Sequence, residues 1–290
     1  MKAELFYKST DILGEGVMWH PSRKCFFWVD IIGRTLNEID LNGVKSVSYR
    51  MPSMVSTVVP DKDGNVILAL SDRIVRFDIG RKILTDLVPL ESNNNRNRSN
   101  DGKCDAVGRF WIGTMSLDGE KGAGRLYTFG KGEPLRIKLD NQSIPNGIVW
   151  NKDNTLMYYI DTIDSCVKEY AYNIESGAIK FQRIAIEVSE EMGSPDGMTI
   201  DERDMLWIAL WGGGAVGCWN PVNGELIEKI DIPSPYVTSC AFGGDDYKIL
   251  IITTARYNMT AEELSRYPLS GSLFVCRNLS KGRYINSFSQ

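Results

Sequence analysis

Histidine is almost missing from this 290-residue chain, with His20 standing alone. One imidazole cannot build a histidine metal site, and a Ser-His-Asp or Cys-His apparatus would have to run through it. It falls in the turn His20-Pro21-Ser22-Arg23-Lys24 after a strand, which reads as a structural or solvent-exposed position. An excess of one charge sign is missing as well. With 33 basic and 37 acidic residues the formal charge is -4, whereas a phosphate-reading surface shows a basic excess, so no nucleic-acid partner is expected. No apolar run approaches ~18 residues, so no segment reads as a membrane span. The first residues, Met1 to Gly16, contain no apolar core of signal-peptide length. The six cysteines (Cys25, Cys104, Cys166, Cys218, Cys240 and Cys276) are scattered and include no C-x-x-C pair. That excludes closely spaced zinc ligands and implies no disulfide framework, so reduced thiols and a cytoplasmic location are expected. Neither a P-loop nor a strand-to-helix G-x-G-x-x-G occurs, so no nucleotide cofactor is expected. The glycines of Leu210-Trp211-Gly212-Gly213-Gly214-Ala215-Val216 lie in a strand-rich stretch, as a tight turn or a close approach to a channel. Helical periodicity is nearly absent too. The exception is Thr260 to Tyr267, where Thr260 and Glu263 match a capping box.

What is present is a repeat. At 43% hydrophobic and 24% charged, the chain has enough apolar surface for a sizeable core. One short apolar run recurs six times, starting at Cys25, Val66, Phe110, Leu156, Leu206 and Ile249. Each run is rich in β-branched, aromatic and aliphatic residues and follows a polar turn that a first strand precedes. The spacing of roughly 40 to 50 residues is that of a four-stranded propeller blade. A β-sandwich also spaces its strands regularly, but six copies of a strand–turn–strand unit favour radial repetition. The expectation is an all-β, six-bladed β-propeller, with residues 1–290 as one domain.

Counting about ten residues back from each run gives one equivalent position per repeat: Glu15, Ser56, Asn100, Asn146, Asp196 and Ser239. In a propeller these sit on the innermost strands and converge on the axis. Polar residues beside glycine are also what ordinary turns contain, and for any single motif that reading is sufficient. The shared register makes the difference. Two carboxylates and two amides crowded together repel and are poorly solvated unless a cation joins them. Oxygen-only ligands favour a hard ion such as calcium, magnesium or manganese.

Seven segments then acquire a common meaning. They are Leu13-Gly14-Glu15-Gly16, Asn95 to Lys103, Gly113-Thr114-Met115, Pro145-Asn146-Gly147, Tyr159-Ile160-Asp161, Pro195-Asp196-Gly197 and Ala241-Phe242-Gly243-Gly244. In that order and spacing the chain resembles the senescence marker protein/gluconolactonase/luciferin-regenerating family. The resemblance implies a six-bladed propeller with one divalent cation in its channel, held by Glu15, Asn146 and Asp196. It implies that Arg98 and Asn100 hold the substrate, and that an acidic residue after Gly113-Thr114-Met115 contacts sugar hydroxyls. The offset gives Asp118, with Glu120 close enough to compete; a solvated hairpin turn is the plainer reading of both. Ala209 to Gly213 and Tyr267 to Gly271 look more like the bacterial aldonolactonase branch than the animal regucalcin branch.

The implied activity is metal-dependent hydrolysis of a small-molecule sugar lactone to its acid, with Asp196 as general base. The ion would be Ca, Zn, Mn, Mg or Fe(II), with Ca or Zn foremost, and no obligate protein partner is implied. Two other activities fit the same ligands: hydrolysis of organophosphate or aryl esters, and calcium binding without catalysis.

Overall fold

An apolar run that is buried on both faces needs a neighbour on each side, and here every sheet finds one in the sheets flanking it. The computed structural model describes residues 1–130 and 132–289. Its strands form six four-stranded antiparallel sheets, the blades. Blade one runs outward through Gly14–His20, Cys25–Asp30, Thr35–Asp40 and Ser46–Arg50. The inner strands of the next four are Val55–Pro60, Asn97–Cys104, Pro145–Trp150 and Ser194–Ile200. Blade six combines Val237–Gly243, Ile249–Thr254 and Leu273–Arg277 with the N-terminal strand Glu4–Tyr7, which pairs with Leu273–Arg277 at its outer edge. Each inner strand packs against both neighbouring inner strands, and Gly14–His20 meets Val237–Gly243 to close the ring. The chain is a six-bladed β-propeller.

The second strand of each blade is the recurring apolar run, and Cys25–Asp30, Val66–Leu70 and Ile249–Thr254 are buried almost throughout. The polar turns before these runs also have a purpose. Asn151 Oδ1 accepts from the amides of Thr155 and Leu156, and Asp201 Oδ1 from those of Arg203 and Met205. Asp105 does the same for Val107 and Arg109, and its other oxygen accepts from Trp111 Nε1 and the Tyr172 hydroxyl. Side-chain acceptors that fold a turn in this way explain why Asp or Asn opens so many repeats.

The helix appears as Ala261–Arg266, with both halves of the Thr260–Glu263 capping box in place. His20 differs from expectation on one point. It is the last residue of its strand and is buried, with Nε2 against the Asn65 carbonyl and Nδ1 near the Ser22 hydroxyl. It is structural rather than solvent-exposed, and burial lowers its pKa. All six cysteines are unpaired and buried. Among the described residues, no helix is long and apolar enough to cross a membrane.

The last segment, after Arg277, crosses the end of the channel where these turns lie. Lys281 accepts from the amide of Glu202, Arg283 donates to the Trp150 carbonyl, and the amide of Phe288 donates to the Pro60 carbonyl. Further bonds reach Tyr247 and Lys248 of blade six and Cys104 and Gly108 of blade three, so five of the six blades touch one stretch of chain. The opposite end stays open.

Candidate active site

At the open end, every inner strand breaks register at the same place. The irregularities fall between Glu15 and Met18, Val55 and Thr57, Ser99 and Gly102, Pro145 and Ile148, Pro195 and Met198, and Val237 and Ser239. A bulge adds twist and re-aims a side chain, and six in a ring turn the equivalent residues towards the axis. Glu15, Ser56, Asn100, Asn146, Asp196 and Ser239 all lie at or beside these bulges, and all are buried. Close packing of neighbouring inner strands requires glycine after Asn146. A Cβ on Gly147 would stand 2.5 Å from that of Met198.

Two of the candidate positions are gripped from the next strand. Asp30 accepts from the amides of Ile12 and Leu13 at 2.9 and 3.0 Å, just before Glu15. Asp161 accepts from the amides of Ser143 and Ile144 at 2.7 and 2.8 Å, just before Asn146. Both aspartates end the recurring apolar run, so one repeat position fixes the backbone that carries another.

The polar side chains form a directed chain of hydrogen bonds. Arg98 Nη1 donates to Asn100 Oδ1 at 2.7 Å, and Asn100 Nδ2 donates to Asn146 Oδ1 at 3.1 Å. Asn146 Nδ2 donates to Thr162 Oγ1 at 2.7 Å, and that hydroxyl donates to the Pro195 carbonyl at 2.8 Å. Thr162 was not visible as a site residue in the sequence. It sets the Asn146 amide so that its oxygen, with one lone pair still free, faces the cluster.

The carboxylates are less settled. Glu15 accepts from the amide of Gly16, while buried Asp196 Oδ1 has no hydrogen-bond partner. Burial, with Asp101 nearby, raises the Glu15 pKa to about 8. Burial raises that of Asp196 well above the ordinary carboxylate range, with Glu15 and Asp101 adding repulsion. Arg98 is the counter-charge, and burial lowers its own pKa to about 10. Among the described residues, no three His, Cys, Asp or Glu side chains group to hold a metal. The candidate set is instead two carboxylates and one amide oxygen. An unpartnered buried carboxylate oxygen, a second repelled carboxylate and an all-oxygen donor set fit a hard divalent cation.

These residues line a pocket of about 420 Å³. Glu15, Arg98, Asn100, Asn146 and Asp196 form its polar side, and Leu13, Met115, Ile144, Ile163, Trp211 and Tyr257 its apolar side. Asp118 stands apart. Its side chain is 68% exposed and lies 3.6 Å from Arg96, which reaches Glu120 at 3.7 Å. Neither acid lines the pocket.

Known proteins match along nearly the whole chain. Residues 13–256 match the family described as the SMP-30/gluconolactonase/LRE-like region. The provisionally named sugar lactone lactonase YvrE of Bacillus subtilis is 35% identical, covering 98% of this chain and 97% of its own. Regucalcin of Danio rerio is 31% identical, covering 96% and 95%. A solved structure titled as a calcium-binding protein, regucalcin, from Agrobacterium tumefaciens superposes with a TM-score of 0.95 at 28% identity, covering 100% and 98%. The chain belongs to the SMP-30/gluconolactonase/LRE-like family.

Proposed function

We propose that this protein hydrolyses a sugar lactone to the open sugar acid, using a divalent cation held by Glu15, Asn146 and Asp196. The observation that carries this reading is the unpartnered oxygen of buried Asp196 beside a second buried carboxylate, on the floor of an open pocket. The lactonase names among relatives support the substrate class, and the calcium-binding title supports an oxygen-liganded ion. Calcium, zinc, manganese, magnesium and Fe(II) are the ions to compare. When bound, the cation supplies positive charge where the carbonyl oxygen becomes negative.

The protein's own residues carry the rest. Asp196 takes a proton from the water whose oxygen bonds to the lactone carbonyl carbon. The ring C–O bond then breaks, and the leaving oxygen receives that proton as a hydroxyl. Arg98 and Asn100, joined by their hydrogen bond, hold the ring oxygens in one orientation. A contact from Asp118 or Glu120 to a sugar hydroxyl would need the substrate to reach beyond the pocket lining, and an unchanged KM in both single alanine variants would remove them from the site.

Acid release from a panel of aldonolactones, followed with chelator-treated protein and each added ion, tests the reading. Activity should appear only with metal and favour one sugar; folded protein inactive with every ion would overturn the proposal. Asp196→Asn should lower kcat by at least about a hundredfold, the scale of general-base catalysis. Near-normal turnover with metal bound would remove Asp196 as the base. The apolar half of the pocket favours one second reading, hydrolysis of an aryl ester at the same centre. Faster turnover of aryl acetates than of any lactone would establish it.

A further inference from the structure

Seven tryptophans occur in the chain, and six of them (Trp19, Trp28, Trp111, Trp150, Trp207 and Trp219) are buried in the core. Trp211 is only partly buried, and it lines the candidate pocket. Its place in the repeat is unusual. It ends the fifth apolar run, one residue beyond the register position that Asp30 and Asp161 hold in blades one and four. Gly14 stands opposite Asp30 and Pro145 opposite Asp161, as Pro195 does opposite Leu210, so Trp211 opposite Ser194 falls at the place of Ile31 and Thr162, whose amides bond to Leu13 and Ile144. Where blade four has Thr162, bonded to Asn146, blade five has a large flat apolar surface.

That surface is held rigidly. The Tyr236 ring stacks on the indole with centroids 4.4 Å apart and planes 22° apart, and the two residues also form a backbone bridge. Tyr236 does not line the pocket, so the indole stands between it and the cavity. The turn after Trp211 admits no side chain at Gly213, where a Cβ would lie 1.9 Å from the Met192 carbonyl oxygen. A backed, partly exposed indole facing a cluster of oxygen ligands suits a ligand that is polar at its edge and C–H-rich on one face. A closed sugar ring has that shape.

We propose that Trp211 is the specificity-determining platform of this pocket: it stacks on the C–H face of a monocyclic sugar lactone and selects the closed ring over open-chain esters. The proposal rests on the lactonase reading for its substrate class, but its binding test does not depend on turnover. Iodide quenching of intrinsic fluorescence reads Trp211, because the other six indoles are buried. Gluconolactam, a closed-ring analogue whose amide resists hydrolysis, should shield that fluorescence in the metal-loaded protein. Trp211→Ala should raise KM for glucono-δ-lactone about tenfold, the scale of one aromatic contact, with a smaller change in kcat. Trp211→Phe should recover most of the loss, and KM for open-chain methyl gluconate should not move. Lactam that binds without shielding Trp211, or equal losses on ring and open-chain substrates, would overturn the platform. Shielding by the lactam with no hydrolysis of any lactone would support the platform and defeat the hydrolytic reading. The shielding measurement needs only the wild-type protein, so an unstable variant leaves the test intact.

Discussion

Glu15 and Asp196 lie in surroundings that favour their neutral forms, a preference that the proposed cation would reverse. The sign of the consequence follows from linkage. A carboxyl whose folded pKa is raised binds more protons folded than unfolded, so it stabilises the fold at low pH. For Glu15 that stability is full below its ordinary value of 4.5 and is lost as pH rises through about 8. Asp11, raised to about 6 by burial, acts in the same direction over a lower window. Buried His20 acts oppositely, since its lowered pKa favours folding as pH rises. Chelator-treated protein should therefore lose thermal stability as pH rises from about 4.5 to about 8, the window set by Glu15, with Asp196 acting in the same direction, and saturating cation should restore it. Glu15→Gln should flatten that decline. Melting temperatures across pH, with and without ion, check this; a metal-free protein equally stable at both ends would contradict the strained pair.

At the level of elements, the site depends on ties between strands of different blades. Thr162 follows the second strand of blade four, receives the Asn146 amide from the inner strand and donates to Pro195 in blade five. Thr162→Val keeps the shape and removes both bonds. Metal affinity should fall about ten- to a hundredfold, as when an outer partner of a ligand is lost, and calorimetric titration of the ion reads it. Unchanged affinity would mean that Asn100 alone orients the amide. The convergence of Glu15, Asn100, Asn146 and Asp196 was legible in the sequence because each apolar run advertises its own start, and the inner strand precedes it at constant spacing. The bulges that aim those side chains left no such trace, since residue types do not record a skipped pairing. Thr162 was hidden because its role arises from a neighbour one blade away. His20 was placed one residue beyond its strand, and burial at the strand's end decides for the structural of its two readings. Asp118 has the expected offset but rests on an exposed turn beside Arg96, where sequence spacing could not tell pocket from rim. Trp211 was legible as part of a segment that could approach the channel and add to an apolar pocket, but repetition reveals a position without showing which face its occupant presents.

The whole molecule is a ring whose last blade is completed by its first strand. Deleting residues 1–7 would leave Leu273–Arg277 without its outer partner and blade six with three strands. Because every blade is packed on both sides, the loss should be felt around the ring rather than confined to one sheet. Calorimetry should show a single transition lowered by about 5 to 15 °C, corresponding to a few kcal/mol. Two separated transitions would mean that the blades unfold independently. The segment after Arg277 adds its own bonds across five blades, and its lack of strand periodicity follows from bonding to turns rather than to a strand edge.

Ring closure by the two ends of the chain also sets an order of events during synthesis. Glu4–Tyr7 is synthesised long before its partner Leu273–Arg277, with every other strand of the propeller in between. At roughly 5 to 20 residues per second, that strand waits on the order of 15 to 55 s. Glu15 waits as well, since Asn146 and Asp196 come from blades four and five, and its own blade needs blade six as a neighbour. A chain stopped before its final strands can contain all three of these residues, the proposed ligands, and still lack the closed ring that brings them together. Retention of the ion would then distinguish finished molecules from interrupted ones.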